Sequence, residues 1–168
     1  INIPLTMECK FGTKGQHLQC LLDVNDKGRG IKVENINDFG GPSLTVNRIT
    51  IKGGNSGTDG DRSYVRDGAG MYIDNSGVNL NNCEINQNEA QYTGGGFYIK
   101  GSSKVTINYS TVSANSAMYE DGGGGFYITG SSTLTINYSS VSANSAYETY
   151  LGGGFYIKEY STVTITHS

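Results

Sequence analysis

One feature limits what this chain can fold into more than any other: it repeats. GGGFYIKGSSKVTINYSTVSANSA fills residues 94–117, GGGFYITGSSTLTINYSSVSANSA fills 123–146, and GGGFYIKEYSTVTITHS fills 152–168. Phe97, Phe126 and Phe155 therefore stand 29 residues apart. A degenerate copy, GAGMYIDNSGVNLNNCEINQNEA, occupies 68–90, and a weaker one, LTVNRITIKGGNS, occupies 44–56. The linkers vary in length, and the longest insertion is the Asp- and Arg-rich stretch 57–67. A fixed period of this size marks a repeat architecture, in which each unit buries its apolar face only against its neighbours.

Each unit contains three short alternating runs, such as Phe126-Tyr-Ile128, Leu134-Thr-Ile136 and Ser139-Ser-Val141. Alternation with a period of two reads as half-buried strand. Gly-Ser and Asn-Tyr corners separate the runs, and no window carries a helical apolar stripe. Three short strands cannot enclose a core alone, but stacked coil on coil they can, with parallel strands about 4.8 Å apart. The expected fold is all-β: a parallel β-helix, or solenoid, with three short strands per coil. A sandwich or propeller would need hairpin turns between neighbouring strands, whereas here the same corner recurs at the same phase. Residues 1–168 form one domain by length. Residues 1–41 are the non-repetitive N-terminal cap or an irregular first coil, and 42–168 are the stacked coils.

Alternation sorts the columns. Met71, Phe97, Phe126 and Phe155 face inward, as do Ile73, Ile99, Ile128 and Ile157. So do the pairs Val105/Ile107, Leu134/Ile136 and Val163/Ile165, and the column Ile85, Val112, Val141. Three residues after that column come Asn88, Asn115 and Asn144. A corner Asn can turn inward and bond backbone groups of adjacent coils, so these are expected to form a structural amide ladder. The triple glycines permit positive φ and close approach. A strand follows them rather than a helix N-terminus with a Lys, which argues against a phosphate cradle.

GGGFYI followed by VSAN resembles the GGA(I/L/V) and FxxN motif pair of the chlamydial polymorphic outer membrane protein repeats and related β-helix surface proteins. The likeness covers residues 44–168. The Ala of GGA is Gly here, and the Phe of FxxN is Ile85, Val112 or Val141. The resemblance implies a right-handed β-helix, secretion, and adhesive or structural work at a cell surface. It implies no catalytic residues.

Outward columns carry the candidate interactions. Tyr72, Tyr98, Tyr127 and Tyr156 alternate with inward residues and are expected to form an exposed aromatic ladder. Such a surface commonly marks an interface, with a cell-surface glycan or protein as partner, although cross-strand stacking alone would also explain it. Thr45, Asn79, Thr106, Thr135 and Thr164 form a second column, which suits a solvent-facing strand and, as a less favoured alternative, ice binding. Asn108-Tyr-Ser and Asn137-Tyr-Ser are N-glycosylation sequons, whose Asn side chains could instead continue an outward ladder with Asn47 and Asn81.

Other classes fit less well. Net charge is −3 and there is no basic stripe, which argues against nucleic acid. No run is apolar enough for a membrane-spanning helix. Cys9 and Cys20 could pair as a disulfide in the cap, or remain buried thiols. Cys83 stands in a column where later copies carry Ser110 and Ser139. No His/Cys cluster suggests a metal, and no cofactor motif is present. A carbohydrate-active enzyme would need clustered carboxylates or a basic residue in a groove. The best such cluster is Asp59, Asp61, Arg62, Arg66 and Asp67, and a solvated loop explains it better.

The chain opens at Ile1 without an initiator Met, which suggests a processed protein or a segment. Residues 162–166 are a full-strength repeat strand without a visible cap, so a bare edge is expected to meet another subunit or further chain. The sequence reading is thus an extracellular, non-enzymatic structural protein. It self-associates end to end into a fibre or surface appendage; the alternative is a monomeric adhesin or glycan-binding module using the Tyr ladder.

Overall fold

A computed structural model describes residues 20–23, 28–35, 44–57, 66–119, 122–147 and 152–168. Among them the chain forms eighteen strands and no helix. It begins with β1 (Cys20–Asp23), β2 (Ile31–Glu34), β3 (Leu44–Asn47) and β4 (Ile49–Lys52). The first complete coil holds β5 (Met71–Asp74), β6 (Gly77–Asn81), β7 (Glu84–Asn86) and β8 (Glu89–Ala90). The second holds β9 (Phe97–Lys100), β10 (Lys104–Asn108), β11 (Thr111–Ser113) and β12 (Ser116–Ala117). The third holds β13 (Phe126–Ile128), β14 (Thr133–Asn137), β15 (Ser140–Ser142) and β16 (Ser145–Ala146), and β17 (Phe155–Ile157) and β18 (Thr162–Thr166) follow.

These strands pair in parallel into four sheets, three of five strands and one of three. The first sheet is β2-β5-β9-β13-β17, the second β3-β6-β10-β14-β18, the third β1-β4-β7-β11-β15, and a narrow fourth is β8-β12-β16. The fourth sheet corrects the expectation of three strands per coil. Its strands are two residues long, too short to show alternation in sequence, but Ser116 and Ala117 pair with Glu89 and Ala90 below and with Ser145 and Ala146 above.

Register is one to one. Phe126 pairs with Phe97 and Phe155, and Ile107 pairs with Leu80 and Ile136. The expected columns therefore stack directly. The rings of Phe97 and Phe126 lie 4.9 Å apart and those of Phe126 and Phe155 lie 5.0 Å apart, each pair nearly parallel. Met71, Ile73, Leu80, Ile85, Ile99, Ile107, Ile128, Leu134 and Ile136 are fully buried in one continuous core. Of residues 1–41, only 20–23 and 28–35 are described; there β1 pairs with β4, and β2 with β5.

The triple glycine has a separate reason at each position. Gly94 and Gly123 adopt φ of 67° and 72°, the left-handed region that side chains disfavour. A Cβ on Gly95 would run into the Ser116 carbonyl, and one on Gly124 into the Ser145 carbonyl, with the Ser145 C and N atoms at 2.6 and 2.7 Å. The third glycine lies over the Asn column: a Cβ on Gly125 would sit 3.1 Å from Asn144 Nδ2. Backbone on both sides cannot step aside, so Gly124→Ala should destabilise the protein by about 2 kcal/mol or more. Gly154→Ala, where a Cβ meets nothing within 4 Å, should change stability by less than about 0.5 kcal/mol. Urea unfolding of the two variants checks this pair, and equal midpoints would contradict it.

Candidate interaction surface

The Asn column is an internal ladder, as the sequence suggested. Asn88 and Asn115 are completely buried. Asn88 Nδ2 donates to Asn115 Oδ1 at 2.9 Å, and Asn115 Nδ2 donates to Asn144 Oδ1 at 3.0 Å. Each amide also donates to a backbone carbonyl in the coil below: Asn88 to Ile51, Asn115 to Ile85 and Asn144 to Val112. Each Oδ1 accepts a backbone N–H from below, at 2.9–3.1 Å, from Gly54, Asn88 and Asn115 in turn. These side chains are spent on the scaffold.

Sequence reading missed two further ladders of buried serines. Cys83 N donates to Ser110 Oγ at 2.9 Å, Ser110 N to Ser139 Oγ at 3.0 Å, and Ser139 N to Ser168 Oγ at 3.0 Å. At another corner Ser76 N donates to Ser103 Oγ, Ser103 N to Ser132 Oγ, and Ser132 N to Ser161 Oγ. The signal was the recurrence of Ser at fixed phase, which looks like ordinary corner chemistry. Cys83 heads the first ladder; its thiol donates toward the Val46 and Asn81 carbonyls, and burial raises its pKa.

The Tyr ladder exists, but its expected exposure needs correction. Tyr72, Tyr98, Tyr127 and Tyr156 are in register, with neighbouring centroids 5.1–5.3 Å apart. Tyr72 is only 2% exposed and Tyr127 only 4%, while Tyr98 and Tyr156 are half-buried. The cause is a cover of long basic side chains. The Arg29 guanidinium lies 4.9 Å from the Tyr72 ring centre, with Lys100 at 5.4 Å and Lys32 at 5.7 Å. Lys158 lies over Tyr127 and Tyr156 at 5.1 and 5.9 Å. Cation–π attraction and the apolar stems hold such chains over the rings. Arg29 also donates to the Asp67 and Gly68 carbonyls. Lys100 lies 3.3 Å from the Asp74 carboxylate, and its hydrogen bond to Tyr72, ahead of that contact, raises its pKa.

The exposed aromatic column lies at a different corner. Tyr109 and Tyr138 are 61% and 52% exposed. Their rings stack at 5.2 Å, and His167 stacks on Tyr138 at 4.8 Å. All three have φ near 50°, as do Asn82 and Arg48 lower in the same corner. The recurrence of Tyr109, Tyr138 and His167 every 29 residues was visible in the sequence, but the two tyrosines, as the middle residues of the sequons, drew no notice.

The sequon asparagines form an outward ladder with Asn47 and Asn81. Asn81 Nδ2 donates to Asn47 Oδ1 at 3.0 Å, Asn108 Nδ2 to Asn81 Oδ1 at 2.9 Å, and Asn137 Nδ2 to Asn108 Oδ1 at 2.9 Å. A glycan on Asn108 or Asn137 would share its nitrogen with this ladder. Thr45, Asn79, Thr106, Thr135 and Thr164 also stack in register on the second sheet. Asp59, Asp61, Arg62 and Cys9, and the side chain of Cys20, lie outside the described residues, and with them the proposed disulfide and most of the charged cluster. Among the described residues no group of three or more His, Cys, Asp or Glu could hold a metal ion, and no helix is long and apolar enough to cross a membrane.

The family described as "Right handed beta helix region" matches residues 17–168. The chain belongs to that family. The solenoid is therefore a right-handed parallel β-helix. Domains of this kind occur in surface proteins, adhesins and many enzymes. The narrower likeness to the chlamydial surface repeats rests on the motif pair alone. No curated protein and no solved structure matches the chain.

The right-handed β-helix places one phenol where pH can read its burial. Burial, and then the Asp67 carboxylate, push Tyr98 from 10 up to about 12. A folded value above the unfolded one means that the protonated phenol stabilises the native state fully below pH 10, and that this contribution fades as pH rises toward about 12. The thermal midpoint should fall over that interval, and Tyr98→Phe should fall less. Identical slopes for the two proteins would contradict the assignment.

Proposed function

We propose that this chain is a non-enzymatic structural protein outside the cell or on its surface, a subunit of a fibre or appendage whose coils associate end to end. The carrying observation is the direction of its axial bonds. In the Asn ladder and both Ser ladders, the backbone N–H of one coil donates to a side-chain oxygen of the coil above. Every coil thus offers on one face what it receives on the other. An interface built this way is head to tail, and a head-to-tail contact without closing rotation grows an open filament rather than a closed dimer. Parallel strands in register extend by the same rule.

A second reading, a surface adhesin or glycan-binding module, is favoured by the exposed stack of Tyr109, Tyr138 and His167. Sedimentation velocity and negative-stain electron microscopy across a concentration series test the first reading. Rods that lengthen with concentration are expected. Dispersed monomers at every concentration would overturn it.

A further inference from the structure

We infer that the corner carrying Tyr109, Tyr138 and His167 is a binding site for a neutral oligosaccharide lying along the axis of the rod. This gives the adhesion reading a site and a ligand class, and it does not depend on end-to-end assembly. The three rings form one side of a shallow groove of about 540 Å³, and Thr111, Ser140 and Ser168 contribute hydroxyls to its lining.

Four observations choose the ligand. First, the rings are open. Centroids 5.2 and 4.8 Å apart exceed the contact distance between carbon atoms, about 3.5–4.0 Å, so rings in contact overlap only in part, like shingles. Tyr109 and Tyr138 accordingly keep 61% and 52% of their surface exposed. Among the described residues no Lys or Arg lies over either ring, in contrast to the covered ladder around Tyr72 and Tyr127.

Second, these residues hold a conformation that does not suit them. Tyr109, Tyr138 and His167 have φ of 50°, 49° and 52°. Asn82, in the same corner one coil down, is the kind of residue that tolerates this region. Arg48 lower in the corner shares this conformation, as do Gln87, Ala114 and Ala143 at another corner, so it belongs to the turn geometry, and a Tyr there carries a backbone cost that an Asn would not.

Third, the groove lining carries no Lys, Arg, Asp or Glu. A phosphate chain or an acidic polymer would find no fixed counter-charge there, and the chain as a whole is negative. Fourth, little backbone is open along the groove, whereas its hydroxyls are. β10, β11 and β14 are each paired on both sides, while β15 and β18 end their sheets, so an extended peptide could add as a strand only at that edge and not beside Tyr109. The side-chain hydroxyls of Thr111 and Ser140 have no hydrogen-bond partner among the described residues. A sugar presents apolar C–H faces and a rim of hydroxyls, which matches open aromatic faces beside uncommitted hydroxyls. The motif recurs once per coil, as Tyr109-Ser-Thr111, Tyr138-Ser-Ser140 and His167-Ser168, so a linear chain of like units would meet like contacts.

The test is titration of the full chain with hexasaccharides of β-1,4-linked glucose, xylose, mannose and N-acetylglucosamine, beside an oligogalacturonate of equal length, by calorimetry and NMR. At least one neutral hexasaccharide should bind. The double variant Tyr109→Asn with Tyr138→Asn should weaken it by about tenfold or more while remaining folded, since Asn suits that backbone. Contacts between sugar protons and the Tyr109 or Tyr138 ring protons in the wild type give a second readout that does not need the variant to fold. No binding by any neutral sugar, binding by the galacturonate alone, undiminished affinity in a folded double variant, or sugar contacts elsewhere would each overturn the inference.

Discussion

Everything in this molecule depends on successive coils lying directly over one another. Backbone hydrogen bonds between parallel strands set the spacing, and three internal side-chain ladders set the register. A shift of a single residue would move every inward side chain to the outside. It would also take Asn115 away from both Asn144 Oδ1 and the Ile85 carbonyl, leaving buried amide groups unpaired at about 1–3 kcal/mol each. The apolar columns supply most of the drive to stack. The polar ladders decide which stacking wins, because an unpaired buried amide is far more position-dependent than an isoleucine.

The same register governs the outer surface, with two different outcomes for aromatic residues. On the first sheet, tyrosines stack and are then covered by Arg29, Lys32, Lys100 and Lys158. At the corner after β10 and β14, tyrosines stack and stay open. The difference is local. Strand positions next to Tyr72 and Tyr156 carry long basic chains within reach, whereas Tyr109 and Tyr138 are followed by serines that turn inward to bond backbone. Stacking strengthens the rod in both places, but only the corner leaves an aromatic surface for a partner.

The fold was legible because the repeat carries its own alignment. Phe97, Phe126 and Phe155 share a phase, and alternation around them assigns inside and outside without reference to any contact. The Asn ladder was legible for the same reason. The two-residue strand Ser116–Ala117 was not, since two residues cannot show alternation. Exposure of the Tyr ladder was misjudged because alternation reports direction and not cover; Arg29 reaches Tyr72 across 43 positions of sequence. The open corner was missed because positive φ at a bulky residue leaves no mark in composition. Tyr109 and Tyr138 read as the interior of a sequon, although their period was in plain view.

Vertical register can be measured without reference to function. Thr106 and Thr135 face outward and are paired directly on β10 and β14, at the spacing of about 4.8 Å between strands, which falls in the range that a disulfide spans between Cα atoms, about 4.4–6.8 Å. In a protein with Cys9, Cys20 and Cys83 replaced by serine, Thr106→Cys with Thr135→Cys should oxidise to an intramolecular disulfide, read by mass and by thiol count. Thr106→Cys with Thr133→Cys, one register step away along the same face, should oxidise markedly less. Equal oxidation of the two pairs, or preference for the offset pair, would contradict the stack on which this account rests.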